Sequence, residues 1–277
     1  MQPTITFIGV GNMALAIIRG LIKNGYSVDR ITGTARNAEK RMRIQQTDGI
    51  RMLADNNDAV ASADIVVLCV KPAQMQDVIL AFKDSISKKQ LYISVAAGLE
   101  LNSLQIWLGD VAIVRSMPNT PAQCGAGMTG LIANKQVTVE QKTLVDQLFA
   151  SIGQFVWVDK ETDMHTVTAL SGSAPAYFFR FLEAMIQAGQ AQGLDESQCR
   201  HLASYSMLGA ARMVTETNDE IATLRKNITS PNGTTEQALL SFESNKIDTI
   251  VEQAMTACIN RSQEMAQLFT ATPKNKD

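Results

Sequence analysis

The sequence predicts an α/β fold: a parallel sheet with crossover helices over residues 1–160, followed by an all-helical region over residues 161–277. Three observations predict it. Up to Asp159, short β-rich apolar runs alternate with helical stretches, the pattern of a sheet whose strands are joined by helical crossovers. The runs Ile65-Val66-Val67-Leu68-Cys69-Val70 and Leu91-Tyr92-Ile93-Ser94-Val95 are apolar almost throughout, as strands covered on both faces must be. Beyond Thr162 the period becomes helical and needs no further strand.

The segments read as strands are Thr4 to Gly9, Ile31 to Ala35, Asp64 to Val70, Leu91 to Ala96, Ala112 to Ser116 and Gln154 to Val158. In the second half, Phe178, Phe181, Leu182, Met185 and Ile186 share one helical face, and Leu202, Tyr205, Ser206, Gly209 and Met213 share another. A last stripe, Ile247, Ile250, Val251, Ala254, Ala257, Cys258, Met265 and Leu268, is interrupted by Arg261 and predicts a helix of roughly twenty residues or more. These stripes exceed what one small helical layer can bury, so a stable dimer through this half is expected. The polar tail Thr270 to Asp277, with Pro273, is expected to fray.

Composition removes several function classes. With 25 Lys plus Arg against 27 Asp plus Glu, the net charge of -2 leaves no basic face for nucleic acid, and 5% aromatic residues supply few stacking platforms. Cys69, Cys124, Cys199 and Cys258 stand singly, without the CxxC pair that zinc or a redox dithiol would need, which fits a cytoplasmic protein. His165 and His201 alone cannot build a multi-histidine metal site, so no metal is expected. The apolar start from Ile5 to Ile22 lacks a basic leader and contains Gly9, Gly11, Asn12 and Arg19, so it is expected neither to target nor to span a membrane.

The strongest local signal is Gly9-Val10-Gly11-Asn12-Met13-Ala14, directly after a strand and opening a helix. This is the GxGxxA form of the dinucleotide fingerprint in the setting it requires, and it favours cofactor binding over a merely structural turn. Gly9 permits the tight turn, Gly11 lets the backbone approach a pyrophosphate, and Ala14 allows close packing of helix on strand. Gly11, Asn12 and Met13 then present the positive end of the helix to phosphate. Cofactor choice is read after the second strand, where an acid would bind the 2′-hydroxyl of NAD. That segment, Ile31 to Asn37, carries Arg36 and no acid. A guanidinium fork suits a 2′-phosphate, so NADPH is favoured with NADH as a second reductant, and Thr34, Arg36 and Asn37 are the expected contacts.

Val70-Lys71-Pro72 and Met117-Pro118-Asn119-Thr120-Pro121 lie at carboxyl ends of strands, where ligands of open α/β sheets bind. Position alone does not separate a nicotinamide contact from a proline that stops a strand. Two further clusters are equally open. Thr229-Ser230-Pro231-Asn232-Gly233-Thr234-Thr235 is either a helix cap or an anion pocket that holds a small carboxylate without a basic residue. Leu170 to Tyr177 lies inside a helical period, where Pro175 frees the carbonyl of Ser171 and the small residues serve either tight packing or a cofactor ring.

Taken in order, Phe7 to Ala14, Val70 to Pro72, Met117 to Pro121, Ala169 to Tyr177 and Leu224 to Leu239 make the sequence resemble the pyrroline-5-carboxylate reductase family over essentially its whole length. The resemblance implies a Rossmann NADP-binding domain at 1–160 and a helical dimerisation and substrate domain at 161–277, forming homodimers that often build decamers. It implies reduction of L-1-pyrroline-5-carboxylate to L-proline by NADPH. In that reading Thr235 hydrogen-bonds the ring nitrogen, while Ser230 and the N–H groups of Gly233 and Thr234 hold the carboxylate. Asn119, Val70, Lys71 and Pro72 join the cofactor contacts. Three departures stand out: Asn232 where the family has a glycine, Ala174 where it has a glycine, and no proline in Ile221-Ala222-Thr223-Leu224. Asparagine tolerates the left-handed conformation best after glycine, so the loop shape is expected to survive.

Two rivals frame this expectation. A hydroxyacid dehydrogenase of the same build needs a proton donor, usually a lysine on the first long helix of its second domain, and Ala169 to Gln192 has none. The other is a non-catalytic NADP-binding protein whose pocket drifted, for which Asn232 and Ala174 are the only hints.

Overall fold

The structure, a computed structural model, describes residues 2–269; the tail expected to fray lies outside the described residues. The strands are β1 (Ile5–Ile8), β2 (Ile31–Thr34), β3 (Arg51–Leu53), β4 (Ile65–Leu68), β5 (Leu91–Ser94), β6 (Ala112–Met117), β7 (Gly127–Ala133) and β8 (Gly153–Trp157). Helices α1 (Asn12–Lys23), α2 (Ala38–Asp48), α3 (Asn56–Ala61), α4 (Pro72–Ala81), α5 (Leu101–Leu108) and α6 (Val139–Ala150) stand between them. The strands form one sheet in the order β3-β2-β1-β4-β5-β6-β7-β8. From β1 the chain first builds outward through β2 and β3, then returns to the other side of β1 as β4. That reversal leaves a crevice at the carboxyl ends of β1 and β4.

The sheet departs from the sequence reading in two places. β3 is only three residues long, and β7, Gly127–Ala133, runs antiparallel to β6. Neither was among the predicted strands. β3 is too short to show a period, and β7 carries two glycines, which weaken a strand pattern. The rest is parallel, including β7 against β8.

Burial explains the apolar runs. In β4, Ile65 and Val67 face one core with Phe7, Ile17, Ile18 and Phe149, while Val66 and Leu68 face a second with Met75, Ile79, Tyr92 and Trp107. Both faces are covered, so alternation disappears from the sequence. Each such side chain taken from water contributes about 1.5–3 kcal/mol before chain entropy is counted. Thr6 is the polar exception inside β1, and its hydroxyl donates to the carbonyl of Ala59 at 2.9 Å.

After the sheet come α7 (Asp163–Val167), a single π-helical turn at Thr168–Gly172, and the long helices α8 (Ala174–Ala191) and α9 (Glu196–Glu216). They are followed by α10 (Ile221–Asn227), α11 (Thr234–Ser244) and α12 (Ile247–Leu268), the last matching the long stripe. The described residues form two compact units, 2–173 with 258–269, and 174–257. The strand-to-helix change at residue 160 therefore precedes the division by contacts, because α7 and the π-turn pack on β7: a Cβ on Gly130 would lie 2.4 Å from Val167 Cγ1.

Candidate active site

The crevice is built by the turn after β1. Gly9 has φ +81°, and a Cβ there would stand 2.4 Å from Val70 Cγ1, so both conformation and space require glycine. The Gly9 N–H donates to Thr34 Oγ1 at 3.1 Å, and the Val10 N–H donates to the Thr34 carbonyl at 2.8 Å. Thr34 is buried, so its hydroxyl serves the turn. Gly11 is the N-cap of α1, has nothing within 4 Å of where a Cβ would sit, and is followed by a first turn without acids. These are the conditions under which uncovered N–H groups at a helix start bind phosphate. Ala14 is fully buried against the sheet.

A cleft of about 510 Å³ opens here, lined by Gly9, Gly11, Thr34, Arg36, Asn37, Val70 and Lys71 among the residues expected from sequence. Asn12 lines a neighbouring cleft on α1 instead, Met13 packs against the first core, and Pro72 sits at the first position of α4 with Lys71 as its N-cap. Arg36 is exposed. Asn37 caps α2, its Oδ1 accepting the Lys40 N–H at 2.8 Å. Arg41 clamps the corner by donating to the carbonyls of Ala35 at 2.7 Å and Arg36 at 2.8 Å.

Sequence reasoning missed Lys40, Asn56, Gln74 and Asp77, all of which line the cleft. For Lys40 the signal was its position one turn after Arg36. Arg36, Lys40 and Lys71 against Asp77 leave the lining positive, as phosphates require. Cys69 also lines it, and burial pushes its thiol well above the ordinary cysteine range, so it stays an uncharged wall.

Asn119, after β6, is engaged at both ends of its amide: Oδ1 accepts the Met128 N–H at 2.9 Å and Nδ2 donates to the Ser171 carbonyl at 3.1 Å. That carbonyl is the one Pro175 frees. The backbone responds with the π-turn, in which the Ser173 N–H reaches back to the Thr168 carbonyl at 2.8 Å. Gly172 packs on Met117, where a Cβ would lie 2.5 Å from Cε. Gly172 thus packs closely on the end of β6, and Asn119 is a strut between the loop after β6 and the π-turn.

The loop that begins at Thr229 leads into α11. Asn232 has φ +57°, the left-handed conformation expected of it, and its N–H donates to Glu236 Oε2 at 2.7 Å. Gly233 is the N-cap of α11, and a Cβ there would lie 2.9 Å from the Ser230 carbonyl oxygen. One expectation needs correction: the Gly233 N–H already donates to that carbonyl at 3.0 Å, because the loop closes as a tight turn. The donors without a helical partner are the N–H groups of Thr234, Thr235 and Glu236, which open α11, since the first to bond back is that of Gln237, to the Gly233 carbonyl at 3.2 Å.

Residues 161–265 match the family model described as pyrroline-5-carboxylate reductase dimerisation, and residues 4–98 match that described as NADP oxidoreductase, coenzyme F420-dependent. The chain is 46% identical over 268 residues to a pyrroline-5-carboxylate reductase of Haemophilus influenzae, covering 96% of this chain and 98% of the relative. The chain belongs to the pyrroline-5-carboxylate reductase family. A structure of the Coxiella burnetii member superposes with a TM-score of 0.92 at 41% identity, covering 96% of this chain and 99% of that one. The Plasmodium falciparum member, whose structure has NADP bound, gives 0.86 at 29% identity, covering 96% and 98%.

Against that family, Ala174 is buried at the start of α8 and Ile221 begins α10 without a proline, after Glu220 as N-cap. The reductase fold also holds a charged cluster that sequence reasoning missed. Arg115 on β6 is 1% exposed and ion-paired through Nη1 with Glu161, while its Nη2 has no partner among the described residues. Nearby, His165 Nδ1 lies 2.9 Å from Ser262 Oγ on α12, and its Nε2 lies 3.9 Å from Glu100. Burial first, then the charge of Arg115, hold the His165 pKa below the ordinary value, against the opposite pull of Glu100 and Glu161.

Proposed function

We propose that this chain reduces the C=N bond of L-1-pyrroline-5-carboxylate to give L-proline, the last step of proline synthesis, with NADPH as the preferred reductant and NADH as a second. The loop Thr229–Thr235 carries the reading: Asn232 holds a left-handed conformation and Gly233 an approach that admits no side chain, leaving hydroxyls and free N–H groups around a small anion site. The bound cofactor supplies the hydride to the ring carbon next to nitrogen, and the proton on nitrogen arrives with the substrate as its iminium or from water near Thr235. The chain itself works by orientation and electrostatics, without a covalent nucleophile. Ser230 and the N–H groups of Thr234 and Thr235 hold the substrate carboxylate, and the Thr235 hydroxyl hydrogen-bonds the ring nitrogen. Gly9, Gly11, Asn12 and Met13 form the pyrophosphate turn that Thr34 braces. Arg36 and Asn37 meet the ribose 2′-phosphate, Val70, Lys71 and Pro72 wall the nicotinamide side, and Asn119 braces the π-turn.

In this reading residues 1–160 serve the cofactor and 161–277 serve dimerisation and the substrate. The protein works in the cytoplasm as a homodimer whose further assembly is a decamer, which mass measurement in solution reads directly. None of the helices among the described residues is long and apolar enough to cross a membrane.

The test is turnover of pyrroline-5-carboxylate by purified protein, followed through nicotinamide absorbance, in wild type, Thr235→Ala and Thr234→Ala. Loss of a hydrogen bond made in the transition state lowers kcat/KM by about tenfold or more, worth about 1.4 kcal/mol, with the melting temperature nearly unchanged. Thr234→Ala keeps its N–H and stays close to wild type. Full activity of folded Thr235→Ala removes that hydroxyl from the mechanism.

A further inference from the structure

The cations around the corner between β2 and α2 are not equivalent. Arg19 is committed to Asp48, with Nε 2.6 Å from Oδ1 and Nη2 3.2 Å from Oδ2. Arg41 is spent on the carbonyls of Ala35 and Arg36. The ammonium of Lys40, by contrast, has no ion-pair or hydrogen-bond partner among the described residues. Its side chain is half-buried and lines the same cleft as Thr34, Arg36 and Asn37.

Its position in the helix is the second observation. Asn37 is the N-cap of α2, so Lys40 falls in the first turn, at the positive end of the helix macrodipole. Acidic residues are favoured there and a cation is opposed. Glu39 shares that turn and Asp77 lines the same cleft, yet neither carboxylate is paired with this lysine among the described residues, and a local rule broken without an internal partner points to a ligand. A doubly charged anion in the cleft would reverse the sign of the account, since the helix end, Arg36 and Lys40 would all attract it.

We infer that Lys40 is a second determinant of cofactor choice, its ammonium pairing with the 2′-phosphate of NADPH beside the guanidinium of Arg36. The inference rests on the cofactor reading above and adds a residue to it. The two cations divide the work by chemistry: the planar fork of Arg36 takes two oxygens, and Lys40 supplies a point charge to the third. A ribose 2′-hydroxyl offers Lys40 nothing to neutralise, so the lysine discriminates as well as binds.

The test isolates the phosphate. Binding of adenosine 2′,5′-bisphosphate and of 5′-AMP is measured by calorimetry on wild type, Lys40→Met, Lys40→Arg and Arg36→Met. Lys40→Met keeps most of the aliphatic stem and should weaken the bisphosphate about tenfold while leaving 5′-AMP within about twofold, and Lys40→Arg should restore most of the loss. The 5′-AMP arm also reports whether each variant is folded. If Arg36→Met weakens the bisphosphate and Lys40→Met does not, the inference about Lys40 is overturned and the phosphate pocket stands. If neither variant distinguishes the two nucleotides, the pocket reading fails as well. Equal loss of both nucleotides in Lys40→Met would overturn the inference by showing that the lysine supports the adenosine rather than its phosphate.

Discussion

The Rossmann unit and the helical unit of this reductase treat their apolar residues in opposite ways. In the first, Phe7, Ile17, Ile18, Val66 and Val67 are wholly inaccessible, and two cores sandwich the sheet. In the second, residues 174–257, only Ala174, Cys199 and Ala203 are buried among the described residues, while Phe178 is 59% and Tyr205 63% exposed. Phe181 and Phe242 meet, with ring centroids 6.0 Å apart, but both keep more than a third of their surface in water. The same amphipathic pattern therefore marks a finished core in one unit and an unfinished one in the other. An apolar surface of that extent calls for a second copy, in agreement with the dimerisation domain that this segment matches.

The sharpest way to break the comparison is to strike each unit where its own rule applies. Glu161→Gln leaves the fully buried guanidinium of Arg115 without a countercharge, which should cost about 3–5 kcal/mol. In urea this appears as an earlier midpoint that does not move with protein concentration if the unit is self-contained. A midpoint that shifts with concentration would contradict the contrast drawn here. On the helical side, Phe178→Asp places a charge on the exposed stripe of α8. We expect monomers by light scattering at micromolar concentration, a loss of about 2 kcal/mol or more of association free energy, with the sheet still folded. Unchanged dimers would show that this face is covered by something else.

The smallest effect is a pH dependence of the first unit. Because His165 has a folded pKa below the ordinary value of ~6.5, the unfolded chain takes up the proton first. Stability attributable to this group is therefore complete above that value and is lost as pH falls toward the folded pKa. Comparing wild type with His165→Asn in urea between about pH 5 and 7 should show the wild type losing more stability on acidification. Parallel curves would mean that the buried histidine is not linked to folding.

Much of this site could be read from residues close together in the chain. The glycine turn, the absence of an acid after β2, the left-handed Asn232 and the helical stripes all express local conformational preferences, and local chemistry is what a sequence displays. The correction at Gly233 shows the limit of that reading, since a tight turn consumed an N–H that composition alone left available.

What tertiary structure decided is which distant groups meet. Asn119 was legible as a loop residue at the carboxyl end of a strand, but only the fold brings its amide to the Ser171 carbonyl 52 positions away. Arg115 looked like one more strand residue until the chain returned Glu161 to it 46 positions later, and the partner of His165 comes from Ser262 after 97. β7 acquires its pairing from β6, not from a period of its own. Hydrophobic periodicity and turn chemistry act over a few residues, so they determine the elements and their buried faces. Pairing across the sheet and buried charge neutralisation act through space, so they are settled only when the chain has folded.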